Sequence, residues 1–588
     1  MFNPLCLLLI TPFALAADTA QPIGEPVLDP PTLRSLGVYW VISGDDNKNA
    51  RVSVDWRKRG AEWHAGWPLL RVEKGRHLGE NGESLIDVPA GAWLFAGSVI
   101  LLDPDTAYEI RLKLTDPDGG SAERVLKART LAEPVAPAGG PTFHVTPGDG
   151  GGDGSAANPF KGLAAAQKSA KPGDTFLLHA GAYESCFTVN RSGEPGRPIV
   201  WRSAGDGEPI LDGRFEKNKE GYPTGHVVDA IGVHDVWFEG LSIRNGWSAI
   251  RTHESQRLVI RRCHITGCIG GVFGSTNDTA KLAGFFITDN LMEGMMPWPA
   301  TKKQWDELPE SRGVWLTGTG HVIAYNRVHH FKDGIDVSPS QRCDSTDIHN
   351  NDISQVFDDG SELDGSYRNV RFFHNRITDC LCGISFQPIY GGPAYAFRNV
   401  VYNIRNEPLK LHNSPSGAVI FHNTFVKKGP PLLVSTSAPV SNCWTRNNLF
   451  IGTTGRAVNF DCPMIGCDFD YDGFGGFNPA PDEPFVKFNR RYASADEIHR
   501  KGDVYGHLVL LDPAKVFRSG LRAPDDELAI HDGAKLDFTL SRQGEAIDAG
   551  EVPSGLNDGF SGKAPDLGAL ESGAAAPHYG PRPAADHR

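Results

Sequence analysis

The sequence has little that would hold the protein in a membrane or on a nucleic acid. Beyond residue 17, no uninterrupted apolar segment reaches the roughly 18 residues of a membrane-spanning helix. Acidic residues outnumber basic ones by 71 to 58, the net charge is −13, and the longest basic cluster is residues 57–59. An acidic chain without a basic patch repels phosphate backbones. We therefore expect no nucleic acid and no membrane anchor, and we expect a monomer.

Cysteine motifs and heptads are also missing. The chain has 10 cysteines but no paired CxxC motifs, so we predict no zinc. Charged residues are only 22% of the chain and no heptad repeat is present, which excludes a coiled coil. The sequence leaves open whether the cysteines pair in disulfides or stay single and buried.

Turn-forming residues are abundant. The 588 residues include 67 glycines and 42 prolines without a three-residue period, so the chain turns often and is not collagen-like. Frequent turns favour short strands over long helices. We predict an all-β protein: a right-handed parallel β-helix preceded by a small β-sandwich.

The first residues have the pattern of a signal peptide. An apolar stretch runs from Leu5 to Leu15, and Ala14-Leu15-Ala16 has the small-x-small form of a cleavage site. We predict a signal peptide over residues 1–17, and hence a secreted or periplasmic protein.

Residues 27–131 alternate apolar and polar side chains in short runs, which predicts a β-sandwich. The segment from Leu102 to Tyr108, LDPDTAY, resembles the tyrosine-corner segment of fibronectin type III domains. That resemblance implies that the Tyr108 hydroxyl ties a loop to the sandwich. The Pro-rich segment 132–142 reads as a linker.

An internal repeat then dominates the sequence. Asn351, Asn375, Asn399, Asn423 and Asn447 follow one another at intervals of 24 residues, with an apolar residue two places after the Asn in most copies. One short set of strands per coil, with a polar residue that can bond to its copy in the next coil, is typical of a stacked solenoid. We predict the β-helix over 143–570 and a disordered tail over 571–588.

Alignment of the coils places one strand of each coil in register, with alternate side chains pointing outward. The outward ladder changes from aromatic to acidic to basic, in the order Phe273, Trp315, Asp336, Glu362, Ser385, Lys410. Coils lie about 4.8 Å apart, close to the size of a sugar ring, so a polymer can lie along the ladder. For substrate binding we propose Trp315, Gln387, Tyr390 and Arg398.

Carboxylates concentrate in two successive coils. They are Asp333, Asp336, Asp358, Asp359, Glu362 and Asp364. Asp-Gly pairs at 333–334 and 359–360 are also ordinary turn signals, so turn chemistry is the alternative interpretation. As a group the carboxylates repel one another unless a cation or a shared proton intervenes. Oxygen-only ligands suit Ca²⁺, and we predict that these six residues hold it.

These segments resemble the motifs of family 9 polysaccharide lyases, which are calcium-dependent and of the pectate-lyase type. The matching segments are DGID at 333–336, DDGSE at 358–362 and PLKLH at 408–412. The chain departs from the family at Ser361, where the family has Trp, and at Glu362, where it has Asp. The resemblance implies β-elimination on an acidic, uronate-containing polysaccharide, with Lys410 as the base. Lys410 would then need a depressed pKa, and His412 is the fallback base.

Two other functions remain open. Asp333 with Asp358 and Asp359 is also similar to the acid and base of polygalacturonase-type inverting hydrolases. That family has a GHG segment one coil later, where this chain has Cys382-Gly383-Ile384. A glycan-binding β-helix without catalytic activity is the third interpretation.

Overall fold

The computed structural model describes residues 18–72, 88–137, 139–184, 186–276, 278–337, 342–552 and 559–583. The predicted signal peptide at 1–17 lies outside the described residues. Within the described ranges, no helix has both the length and the apolar character needed to cross a bilayer.

The N-terminal part is a sandwich of two antiparallel sheets. Because apolar side chains alternate along its long strands, one face of each sheet packs inward around Val38, Trp40, Ile110 and Leu112, all of which are buried. The strands of the first sheet are Gln21–Pro22, Val27–Leu28, Leu36–Ser43, Leu70–Val72 and Ala92–Val99. Those of the second are Arg51–Lys58, His64–Ala65, Ala107–Thr115 and Ser121–Arg129.

The Tyr108 hydroxyl accepts a hydrogen bond of 2.9 Å from the backbone N–H of Asp103. It therefore ties the loop before its own strand to the sandwich, as expected from the segment LDPDTAY. Burial raises the pKa of Tyr108, so the hydroxyl keeps its proton.

The sandwich docks on the flank of the β-helix through buried polar contacts. Asp29 pairs with Arg368 at 2.7 Å, and the Ser98 hydroxyl donates to the Asn369 side chain at 2.9 Å. Trp67 stacks on Phe421 with ring centroids 5.9 Å apart. Buried charges need such partners, so the two parts fit together at a specific interface.

Parallel strands stacked coil upon coil form the rest of the molecule. Strand pairing in register, such as Val314 with Ile335 and Ile384 with Leu409, brings apolar side chains of successive coils into one interior column. The fold class is therefore an all-β parallel β-helix preceded by a small β-sandwich, as predicted.

The strands of the β-helix lie in two long sheets and two short ones. The first long sheet comprises Thr142–Thr146, Phe160–Lys161, Thr175–Leu178, Ile199–Ser203, Val236–Glu239, Val259–Arg261, Phe286–Thr288, Val322–Ala324, Asp347–His349, Val370–Phe373, Tyr390–Phe397, Ser416–Phe421, Val440–Ser441, Trp444–Arg446, Met464–Ile465 and Asp468–Phe469. The second comprises Gly181–Glu184, Phe187–Thr188, Pro209–Asp212, His226–Asp229, Ser242–Arg244, Ser248–Arg251, His264–Thr266, Gly270–Gly274, Leu291–Glu293, Arg312–Leu316, Arg327–His329, Asp333–Asp336, Asp352–Glu362, Arg376–Ser385, Val400–Ile404, Leu409–Lys410, Thr424–Val426, Leu449–Ile451, Gly473–Gly475 and Val509–Leu511. The short sheets comprise Gly318–Thr319, Cys343–Asp344 and Ser366–Arg368, and Leu432–Val434, Val458–Phe460, Val486–Lys487 and Arg491–Tyr492.

The repeated asparagines form a continuous ladder inside the coil corner. From Asn326 onward, each side-chain oxygen accepts from the backbone N–H and the side-chain amide of the preceding member, and each asparagine amide also donates to a backbone carbonyl. The members are Asn290, Asn326, Asn351, Asn375, Asn399, Asn423, Asn448 and Asp472. The prediction that Asn447 belongs to this ladder is wrong. The coil there is one residue longer, so Asn448 takes the position. Asn447 instead bonds to the backbone of Glu551.

Both ends of the β-helix core are covered. The helix Leu163–Ser169 packs Leu163 and Ala166 on the first coils, which protects an otherwise open sheet edge. Near the other end, the helix Ala495–Lys501 packs Ala495 and Ile498 on the same core. The described residues also include the helix Lys302–Glu307 and 3₁₀ turns at Thr279–Lys281 and Gly533–Lys535.

The C-terminal boundary differs from the prediction of a β-helix to residue 570. The last strand in the long sheets ends at Leu511, and the chain then covers an apolar outer face around Tyr402, Val426 and Leu449. Residues 571–583 are not the predicted disordered tail. Arg582 pairs with Asp289 at 2.7 Å and also with Glu133, because burial of this guanidinium requires carboxylate partners.

Candidate functional site

The outward ladder expected from the sequence exists in register. Trp315 pairs with Asp336, Asp336 with Glu362, Glu362 with Ser385, and Ser385 with Lys410. Parallel pairing of successive coils stacks these side chains on one outer face. The face therefore presents aromatic, acidic and basic groups in sequence along the axis of the β-helix.

At the centre of this face, three carboxylates converge. Ligand oxygens of Asp333, Asp359 and Glu362 all lie within 4.8 Å of one another. Asp333 accepts the backbone N–H of Asp359 at 3.3 Å, which joins the two coils. Burial, reinforced by the neighbouring carboxylates, raises the pKa of both Asp333 and Glu362 well above the usual value.

Among the described residues, Arg312 is one of two cations that contact this centre. Its guanidinium pairs with Asp336 and lies 3.8 Å from Asp333 and 3.9 Å from Glu362. It also lies over the ring of Trp315, 4.7 Å from the centroid. Sequence reasoning missed Arg312. The available signal was its register, since it pairs with Asp333 in the next coil.

Lys410 reaches across two coils to the carboxylate centre. Its ammonium lies 2.7 Å from Asp359 Oδ2 and is largely buried. Burial by itself lowers the pKa of Lys410, but Asp359 and Asp358 outweigh it and hold the pKa above its usual value. The expectation of a depressed pKa for Lys410 is therefore wrong for the structure as it stands.

Asp358 faces an insertion between coils at residues 295–312. Trp305, on the short helix Lys302–Glu307, donates its indole N–H to Asp358 at 3.0 Å. Burial, with a further contribution from Asp359, raises the pKa of Asp358 to about 6. Lys332 lies over the Trp305 ring, 4.5 Å from its centroid. The insertion thus forms a wall beside the carboxylates.

The Asp364 carboxylate accepts hydrogen bonds from neighbouring protein groups and is not one of the three carboxylates that converge at the centre. It accepts the Ser385 hydroxyl at 2.8 Å and the backbone N–H of Gln387 at 2.5 Å. Burial and Asp359 raise its pKa well above the usual value. Gln387 is half-buried, and its backbone N–H contacts this carboxylate.

His412 lies beyond Lys410 and is half-buried. Its Nε2 donates to both carboxylate oxygens of Glu407, at 3.1 Å each. Glu407 is almost fully buried and was not identified from the sequence. It fixes the orientation of the imidazole.

Two predicted substrate-binding residues lie elsewhere. Tyr390, on the strand Tyr390–Phe397, is buried with Tyr367 against Leu94 of the sandwich. Arg398 is buried and donates to the Gly568 carbonyl at 3.3 Å, under the C-terminal segment. Neither residue lines the carboxylate face.

The aromatic end of the face contains a small cleft of about 120 Å³. Phe273 and Trp315 form its floor with ring centroids 4.4 Å apart, and Trp247 lies at its side. Flat aromatic surfaces next to polar groups suit the apolar faces of sugar rings.

The central carboxylates fit an oxygen-preferring divalent cation. Asp359 Oδ1 and Glu362 Oε2 are buried and accept no hydrogen bond from the described residues. Six carboxylates share this face with the cations Arg312 and Lys410, so negative charge remains uncompensated unless protons or a metal ion are bound. Asp333, Asp359 and Glu362 would hold such an ion. The other predicted ligands, Asp336, Asp358 and Asp364, have the partners described above.

Comparison with known families supports the class of protein that the coils define. A family model described as a right-handed β-helix region matches residues 312–463, the part of the chain that carries the carboxylate centre. The protein is thus a parallel β-helix protein with a polar outer groove.

Individual proteins similar to this chain share low sequence identity with it or match only a small part of it. A Bacillus subtilis (strain 168) protein described as uncharacterized protein YwoF is 30% identical over 107 residues, which are 18% of this chain and 22% of that protein. The solved alginate lyase from Paenibacillus sp. str. FPU-7 is 14% identical, with a TM-score of 0.31, over 57% of this chain and 99% of that one. The catalytic domain of a GH87 α-1,3-glucanase, solved with nigerose, is 12% identical, with a TM-score of 0.25, over 79% of this chain and 88% of that one.

Proposed function

We propose that the protein is an exported enzyme that degrades an acidic polysaccharide, cleaving a uronate-containing glycan by calcium-assisted β-elimination. The observation that carries this proposal is the meeting of Asp333, Asp359 and Glu362 beside Lys410 on one outward face. An aromatic floor at Trp315 and a cationic end at Lys410 suit a polymer that has both sugar rings and carboxylates.

The residues divide the task as follows. Asp333, Asp359 and Glu362 would hold Ca²⁺, which supplies positive charge for the uronate carboxylate and so acidifies the C5 proton. Arg312 provides a second fixed charge at the same place. Trp315 supports a neighbouring sugar ring.

Lys410 is the proposed base. In the elimination the C5 proton moves to the base, the C4–O bond breaks, a C4–C5 double bond forms, and the glycosidic oxygen leaves and takes up a proton. Lys410 must first be neutral. Its burial favours the neutral amine, and this effect on its pKa is opposed mainly by the carboxylates Asp359 and Asp358, so engagement of Asp359 by a cation removes the main opposing interaction.

The decisive experiment incubates the purified protein with pectate, alginate, chondroitin and other polyuronates, and follows the ultraviolet absorbance of unsaturated uronides. The proposal expects absorbance to rise with at least one polymer, to fall to background with a chelator, and to return with Ca²⁺. Release of reducing ends without the absorbance, and unaffected by chelation, would refute elimination.

A pair of lysine variants tests the base. Lys410→Arg retains a cation beside Asp359, but a guanidinium does not give up its proton. We expect the elimination rate to fall by roughly 10²–10⁴-fold, with Ca²⁺ binding unchanged. Lys501→Arg, in a remote exposed pair with Glu497, is the matched control. Full activity of Lys410→Arg would transfer the role to His412, which His412→Asn then tests.

Hydrolysis by inversion is the second candidate, favoured by one observation. Asp358 is held by Trp305 at the edge of the groove, and its pKa of about 6 is suited to a proton donor. Asp333 or Asp359 would then activate water. The reducing-end outcome above, together with its loss in Asp358→Asn, would favour this reading. Glycan binding without any cleavage would indicate a binding protein.

A further inference from the structure

A second group of metal-binding side chains lies outside the carboxylate centre. Glu293 ends one strand of the second long sheet, His329 ends the strand paired with it, and His330 follows at the corner of the coil. One ligand atom from each of the three lies within 4.8 Å of the others. We propose that these residues form a transition-metal site, with Zn²⁺ as its ion.

The donor set itself points to this ion. Two imidazoles and one carboxylate are ligands of Zn²⁺, whereas Ca²⁺ takes oxygen ligands. Ligand atoms around a tetrahedral Zn²⁺ lie about 3.4 Å apart at Zn–N distances of about 2.0–2.1 Å. Small side-chain rotations therefore bring the three atoms into range. All three residues are at least partly exposed, so a water molecule can complete the site.

His330 is already oriented as a ligand. Its Nδ1 donates a hydrogen bond of 3.0 Å to the backbone carbonyl of Met296, and this leaves Nε2 as the nitrogen with a free lone pair. Metal-binding histidines commonly have this kind of second hydrogen bond, which sets the tautomer and the ring direction. The Met296 N–H in turn donates to the His330 carbonyl at 2.8 Å, so the two segments are joined twice.

The other two ligands are available. Among the described residues, neither the Glu293 carboxylate nor the His329 ring has a hydrogen bond or an ion pair, and the nearby Arg327 pairs with Asp352 at 3.2 Å. Gly294 allows the close approach of the two segments, because a Cβ there would lie 2.2 Å from the His330 carbonyl oxygen.

The location suggests what the metal does. Glu293 lies two residues before the start of the insertion 295–312, and His330 lies three residues before Asp333. An ion bound by both would fasten the start of the insertion to the corner of the coil. Trp305, which contacts Asp358, belongs to that insertion. We therefore assign the site a structural role that supports the wall of the groove.

Isothermal titration with Zn²⁺, in excess Ca²⁺, tests the site in the full-length protein. Wild type should bind one more Zn²⁺ per chain than His330→Ala or His329→Ala, and Glu293→Gln should weaken that binding event. His507→Ala is the matched control, because His507 also lies beside a carboxylate, Asp470, and is exposed. Equal Zn²⁺ stoichiometry and affinity in wild type and all three site variants would overturn the proposal.

Two further measurements make the result independent of folding and of the proposed activity. Zn²⁺ should raise the thermal midpoint of wild type and of His507→Ala but not that of His330→Ala, each compared with the midpoint of the same protein without metal. Zn²⁺ should also slow proteolytic cleavage within residues 295–312 in wild type but not in the variants of His329, His330 and Glu293. Equal protection in His330→Ala would contradict the assignment. None of these readouts requires that the protein be a lyase.

Discussion

Removal of one rung of the asparagine ladder should destabilise the whole coil. The Asn375 oxygen accepts from the Asn351 backbone and side chain at 2.9 Å each, and its amide donates to the Ile348 carbonyl at 2.9 Å and to Asn399 at 3.1 Å. Asn375→Ala removes all of these bonds at a fully buried position. It leaves two donors of Asn351 without an acceptor.

The cost follows from those two donors. A buried donor left unpaired costs about 1–3 kcal/mol, so we expect a loss of roughly 2–6 kcal/mol in the free energy of unfolding. Asn399→Ala should cost a similar amount, because it leaves the Asn375 N–H and amide unpaired. In the double variant the Asn375 amide no longer exists. The double loss should therefore be smaller than the sum by about 1–3 kcal/mol.

Urea denaturation, followed by tryptophan fluorescence and far-UV circular dichroism, measures these differences. Asn190→Ala, at an exposed position, is the control and should stay within about 0.5 kcal/mol of wild type. If Asn375→Ala also stays within that range, or if the two ladder variants are strictly additive, the ladder does not stabilise the coil as argued.

Three further changes test other parts of the structure. Burial raises the pKa of Asp472 to about 7, so the folded protein favours the protonated carboxyl. The stabilisation from this proton is complete below about pH 4 and is lost as the pH rises toward 7. The free energy of unfolding should fall over this range by at most roughly 4 kcal/mol. Asp472→Asn should abolish that slope in denaturation curves measured between pH 4 and 7, and an unchanged slope would contradict it. Tyr108→Phe leaves the Asp103 N–H without its partner and should destabilise the sandwich by about 1–2 kcal/mol, measured as faster hydrogen exchange in residues 88–131. Trp67→Ala removes the stacking on Phe421 and should cost about 2 kcal/mol; unchanged proteolysis of the sandwich would argue against this contact.

Much of the fold was predictable because the interactions that produce it recur at a fixed interval. The asparagines from 351 to 423 repeat every 24 residues, and each repeat places an apolar side chain inside and a polar one outside. The order Trp315, Asp336, Glu362, Ser385, Lys410 along the outer face follows from that repeat alone. The pattern failed at Asn448, where one extra residue in the coil shifts the ladder by one position.

The site was predictable only in part. Asp333, Asp359 and Glu362 come together as expected, but spacing did not indicate which carboxylates have protein partners. Asp336 pairs with Arg312 of the preceding coil, and this contact depends on where the long Arg312 side chain reaches, which strand register alone does not indicate. The pKa of Lys410 depends on the contact of its ammonium group with Asp359, which lies two coils away. The alternation of side chains along a strand does not predict such a contact.

The amino-acid sequence by itself determined the coil, its period and the side chains that face outward. Each coil pairs with the next through the same strands in the same register, so the residues that make these contacts recur at a regular interval in the sequence. Tertiary structure alone decided which of those side chains meet. Tyr390 and Arg398 point out of the coil in the repeat pattern, yet the sandwich covers one and the C-terminal segment covers the other. The segments that cover these two residues are distant from them in sequence. Their packing on the β-helix does not repeat from coil to coil, so the sequence contains no periodic pattern that would predict it.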